Sequence, residues 1–125
     1  MLNDYRITAT LPVSDLGRAR KYYEETLGLK MAEERADGVL FESGGGRLLI
    51  YPSQFAGSNQ GTAAAWEVDD LEKVMVELRD AGVTFEEYDL PGLKTEKGIA
   101  TIQNTRGAWF KDPDGNILSL GETRS

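Results

Sequence analysis

The chain reads as one short pattern written twice. Val13-Ser14-Asp15-Leu16 returns as Val68-Asp69-Asp70-Leu71, displaced by 55 positions, and Leu27-Gly28-Leu29 returns as Ala81-Gly82-Val83, displaced by 54. The first match lies where a strand gives way to a helix, the second where that helix ends in glycine. Two matches in the same order, at nearly the same displacement, point to an internal repeat. Each half is too small to bury its own sheet, so the two must pack together or with another chain.

Residues 5–11 alternate and are β-branched, which predicts a strand ended by Pro12. Ser14 is placed to cap a helix over 15–27, with Leu16, Ala19, Tyr23 and Leu27 on its apolar face and Gly28 at its C-terminus. Strands are expected at 30–35, 39–42 and 47–51, separated by turns at Asp37-Gly38 and Gly44-Gly45-Gly46. Residues 52–61 are small and polar and read as a linker. A strand over 62–68 restarts the pattern. Asp69 is then placed to cap a helix, with Glu72 at capping-box spacing. Leu71, Val74, Leu78 and Ala81 form its apolar face, and Gly82 ends it. Residues 84–88 read as a strand and 89–98 as a loop long enough to be a lid or rim. Strands are expected at 99–102, 108–111 and 116–120, the last two joined by Asp112-Pro113-Asp114-Gly115. Both halves thus run strand, helix, then about three strands. The domain reading is a single domain over 1–125, made of modules 1–55 and 60–125.

Composition narrows the chemistry. There is no Cys and no His. Disulfides, thiolate nucleophiles, Ser-His and Cys-His dyads and the commonest metal ligand are all excluded. Acids outnumber bases by 21 to 14, a net charge of −7. Such a surface repels nucleic acid and anionic lipid and favours cationic or neutral small molecules, although acidity also simply keeps a protein soluble. No apolar run reaches the roughly 20 residues of a membrane span. Residues 1–11 lack the basic-then-apolar order of a secretory signal, so a cytoplasmic protein is expected.

Four segments resemble the vicinal oxygen chelate superfamily, the glyoxalase, bleomycin resistance protein and dioxygenase group. They are Leu11-Pro12-Val13-Ser14-Asp15-Leu16 leading to Tyr22-Tyr23 and Leu27-Gly28-Leu29; Trp66-Glu67-Val68-Asp69-Asp70-Leu71 leading to Ala81-Gly82-Val83; Gly98-Ile99-Ala100-Thr101-Ile102; and Ala108-Trp109-Phe110-Lys111-Asp112-Pro113-Asp114-Gly115-Asn116 leading to Leu118 and Leu120. The resemblance implies an α+β fold of two βαβββ modules, forming a curved mixed sheet around a concave pocket and usually completed in a homodimer. It also implies a metal held by residues on the first and last strand of each module. Counting along the motifs puts those positions at Thr8, Ile50, Ala63 and Ser119. Two have no donor atom and two offer only neutral hydroxyls. Glu67, on the strand face of Ala63, is the only nearby carboxylate. No metal and no cofactor is therefore expected.

Strand alternation puts Thr8, Thr10, Ile50, Ala63, Ala65, Glu67, Ile117 and Ser119 on the pocket face, and Ile7, Ala9, Leu11, Trp66, Val68, Leu118 and Leu120 under the helices. Trp66 is then a core residue, and Trp109 points into the concavity because Phe110 takes the helix side. Phe41 and Phe55 are expected to border the cavity. Glu67 stands at its rim or on the surface. Arg47 and Arg106 read as solvated surface charges. Gly44-Gly45-Gly46 is no phosphate loop, since no helix follows it. Thr8 and Ser119 have no neighbouring base, so no catalytic residue is assigned. The residues favour a binding protein that sequesters a small hydrophobic or cationic compound such as an antibiotic. A metal-free enzyme or regulatory module on the same fold is the alternative. A metal-dependent lyase or dioxygenase fits least.

Overall fold

Strand β1 (Ala9–Val13) begins later than its alternation predicts and runs through Pro12 instead of stopping there. Proline is tolerated because β1 lies at the edge of its four-stranded sheet, where a missing N–H can face away from the ladder. The computed structural model describes residues 1–123; positions 124 and 125 of the expected second module lie outside the described residues. Residues 1–8, predicted in part as strand, make a short 3₁₀ turn over Leu2–Asp4 and leave Tyr5 and Ile7 exposed.

Helix α1 (Leu16–Lys21) passes into a π-helical turn, Tyr22–Thr26. Its cap is Asp15, which accepts from the Arg18 N–H at 3.0 Å, and not Ser14. Helix α2 (Leu71–Asp80) is likewise capped one residue later than expected, by Asp70 accepting from the Lys73 N–H at 3.2 Å. Asp69 therefore closes no capping box, and Glu72 pairs with Arg106. Both adjacent residues in each pair can cap, so composition alone could not choose.

Strands β2 (Lys30–Arg35), β3 (Gly38–Ser43) and β4 (Gly46–Pro52) complete the first sheet, with β4 parallel to β1 and the other pairs antiparallel. The second sheet repeats this wiring: β5 (Thr62–Glu67) is an edge strand parallel to β10 (Ile117–Thr123), followed by β9 (Thr105–Lys111) and β8 (Ala100–Ile102). Residues 84–88 do not form the expected strand. Phe85 makes one bridge to Phe110, and the Glu86 N–H donates to the Trp109 carbonyl at 2.8 Å. The loop that follows carries a small hairpin, β6 (Asp89–Leu90) with β7 (Leu93–Lys94). The architecture is α+β, two four-stranded mixed sheets with few helices. Among the described residues no helix is long and apolar enough to cross a membrane.

The helix-facing residues of both sheets merge into one core. Leu11, Val13, Tyr23, Phe41 and Ile50 of the first half join Leu71, Met75, Phe110 and Leu118 of the second. Phe110 is packed between Phe85, edge-on at 5.6 Å, and Trp66, stacked at 6.4 Å.

The Asp112–Asn116 turn fastens the halves together. Buried Asp112 accepts from the backbone of Asp114 and Asn116, from the Asn116 amide, and from the Tyr23 hydroxyl at 2.7 Å. Asn116 Nδ2 donates to the Pro12 carbonyl at 2.8 Å, and its Oδ1 accepts from the Gly57 N–H at 3.2 Å. Asp114 accepts from the backbone N–H and hydroxyl of Ser14 and from Arg18. Gly57 is required here: its φ is +73°, and a Cβ would lie 1.9 Å from the Asp114 carbonyl oxygen.

Candidate ligand-binding face

The register of each sheet decides which side chains look away from the helices. In the first sheet Leu11 pairs with Ile50, Ile50 with Val39, and Leu48 with Phe41, and all of these are core residues. Ile50 and Phe41 are therefore corrected: both are fully buried on the helix side and line no outward face. The outward row is Thr10 opposite Leu49, Leu49 opposite Leu40, and Arg47 opposite Glu42. Leu49 takes the place expected for Ile50. The run Leu48-Leu49-Ile50 is apolar on both faces, so alternation could not set its register, and a slip of one residue turns every side chain over. Thr8 is half-buried just before β1, and Thr10 is exposed.

In the second sheet Ser119 pairs with Ala65 on one side and Trp109 on the other, and Gly121 pairs with Glu67. These residues share the outward face. Ala63 does not join them cleanly. The ladder slips between Ile117, which pairs with Thr62, and Leu118, which pairs with Ala64, leaving Ala63 as an unpaired bulge residue packed against the core. Thr62 takes the outward place, and its hydroxyl accepts from Trp109 Nε1 at 3.2 Å. No sequence signal announces such a bulge. Trp109 is half-buried, with Tyr88 set edge-on at 5.8 Å and Gly107 beneath the far edge of its ring. Glu67 is exposed and lines a polar cleft with Asp69 and Thr123. Phe55, expected to border the cavity, is 65% exposed in the linker.

Trp66 faces the helices, as alternation requires, yet it is only half-buried. It walls a cavity of about 260 Å³ together with Leu27, Leu29, Val68 and Val74. Its Nε1 donates to Ser43 Oγ at 3.0 Å. On the other side of this pair lies a cleft of about 130 Å³ bordered by Ala9, Arg47 and Ala65. Arg106 is no solvated charge: it pairs with Glu72 and with buried Glu122, and their hydrogen bonds hold its pKa above the ordinary value and that of Glu72 below it. Burial and the charge of Asp112 push Tyr22 up to about 12, and the same causes raise Tyr23 further.

A profile of the Glyoxalase/Bleomycin resistance protein/Dioxygenase superfamily matches residues 6–120, and the chain belongs to that superfamily. Among solved structures it is similar to TnmS3, an antibiotic binding protein from Streptomyces sp. CB03234, at 22% identity and TM-score 0.73 over 96% of each chain. It is also similar to a glyoxalase family protein from Enterococcus faecalis, at 23% identity and TM-score 0.72 over 98% of this chain and 100% of that one. A lactoylglutathione lyase from Agrobacterium tumefaciens shares 19% identity at TM-score 0.70, over 94% of this chain and 92% of that one. At these identities the likeness establishes the fold. A search of curated proteins finds no match.

The metal that the family's enzymes use does not fit this donor set. At the ligand positions the structure places Thr8, Leu49, Thr62 and Ser119, three hydroxyls and no carboxylate, and the chain has no imidazole. Three carboxylates do converge elsewhere, at Asp70, Glu72 and Glu122. Each already serves the fold. Asp70 caps α2, Glu72 pairs with Arg106, and Glu122 accepts from both the Leu71 N–H and Arg106.

Proposed function

We propose that this protein binds a small, largely apolar organic molecule on the outward faces of its sheets, without metal and without catalysis, as a homodimer whose second copy closes the pocket. The observation that carries this reading is Trp109. Thr62 and Tyr88 hold its ring on the outward face, next to Ser119 and Ala65, where the family's enzymes would need coordinating atoms. A fixed indole beside small side chains suits a flat aromatic ligand. TnmS3, with the same fold, is an antibiotic binding protein, which fits this use of the fold.

The test is intrinsic fluorescence during titration with a planar aromatic antibiotic. Trp109→Phe should remove most of the response and Trp66→Phe should leave it. Trp109→Ala should weaken binding by roughly 1–3 kcal/mol, the range for losing one large aromatic contact, with the fold intact. A response that survives Trp109→Phe and disappears with Trp66→Phe would move the site to the helix side.

A further inference from the structure

Arg47 sits on the outward side of β4, directly across the ladder from Glu42. It is half-buried and borders the cleft of about 130 Å³ between β4 and β5. Its Nε is the one buried side-chain nitrogen or oxygen among the described residues with no hydrogen-bond partner. Buried donors are nearly always matched, because an unmatched one bears its whole desolvation cost.

Acids are not scarce. Arg18 pairs with Asp114, Arg20 with Glu24 and Glu34, Arg35 with Glu33, and Arg106 with Glu72 and Glu122. Among the described residues no ion pair joins Arg47 to Glu42, although the two face each other. In a chain of net charge −7 the long-range field turns anions away, so any anion must be held by a sheltered local donor. A guanidinium can grip a carboxylate through two parallel N–H bonds, and with Nε buried and no ion pair formed the two terminal nitrogens of Arg47 are the pair that a ligand in the cleft could meet. The next wall of the cleft is apolar: Ala9, Ala64, Ala65 and the Trp66 indole.

We propose that this cleft receives the carboxylate head of an aromatic acid, with Arg47 as its bidentate donor. The proposal rests on the small-molecule reading above and reverses the charge that overall composition suggests for the ligand.

The experiment compares 2-naphthoate with 2-naphthamide by calorimetric titration. The wild type should bind the acid roughly tenfold or more tightly than the amide, with the preference eroded by salt. Arg47→Leu should bring the acid down to the level of the amide and leave the amide unchanged. Arg47→Lys should recover only part of the preference, since an ammonium lacks the fork. Loss of an unmatched buried donor should also raise the melting temperature of Arg47→Leu. Equal binding of the two probes by the wild type, or an acid preference that survives Arg47→Leu, overturns the assignment of Arg47 and leaves the binding reading standing. A drop in melting temperature with loss of both probes makes Arg47 structural and also overturns it. Failure of the wild type to bind either probe overturns the Arg47 assignment, and the binding reading then stands or falls by the Trp109 titration.

Discussion

Tyr23 shows how one side chain can tie pH to stability. Its ring is fully buried in the core, and its hydroxyl donates to Asp112, which is itself buried. Burial and then the Asp112 charge raise its pKa, as they raise that of Tyr22 to about 12. An unfolded tyrosine ionises near 10, so the folded state holds these protons more tightly than the unfolded state does. The resulting stability is complete below about pH 10 and is lost as pH rises through the folded values. Urea unfolding should therefore show a falling midpoint above about pH 10. Tyr23→Phe should lower stability by roughly 1.5–3 kcal/mol at neutral pH, the range for a hydrogen bond to a charged group. The same variant should flatten the alkaline decline. An unchanged alkaline slope would show that Tyr23 does not carry the effect.

At the scale of elements, the caps separate what the residues could tell from what they could not. Either Asp69 or Asp70 satisfies the chemistry of a helix start, and only the strand's end point decides between them. Asp70→Ala should cost about 0.5–2 kcal/mol of stability and Asp69→Ala a few tenths at most, measured by denaturant unfolding. A larger loss at Asp69 would restore the capping box. The repeat, both helices and most strands were legible because periodicity and turn residues mark them. Strand β4 shows where that ends. Arg47, Leu49 and Tyr51 alternate with Leu48 and Ile50, yet three consecutive residues are buried, so hydrophobicity carries no parity there. The bulge at Ala63 and the π-helical turn at Tyr22–Thr26 are departures from regular periods, which periodic reading cannot register. The site was legible in part. Trp109 follows from its neighbour Phe110, whereas Thr62 is defined by Trp109, and Arg47 by the Ala64-Ala65-Trp66 wall of its cleft, both far away in the chain.

For the whole molecule, the helix sides share one core, while on the outward sheet faces Leu40 and Leu49 are buried and Thr10, Ala65 and Glu67 are exposed. Exposed apolar side chains accompany them, Tyr5 and Ile7 in the N-terminal segment and Phe55 in the linker. An isologous pairing would cover such surface and close a pocket between two copies. Multi-angle light scattering after gel filtration should give about twice the 13.8 kDa chain mass at micromolar concentration. A monomer mass would require the ligand face to work open.

The turn over Asp112–Asn116 also sets a timetable. Ser14 at the start of α1 is held by Asp114, 100 positions downstream. During synthesis, β1 and α1 emerge long before the residues that clamp them. Until then the Pro12 carbonyl lacks its Asn116 donor and the Tyr23 hydroxyl its Asp112 acceptor. The first half therefore completes its hydrogen bonding only when the chain is nearly finished, and early contact of its strands with other chains is a hazard of synthesis.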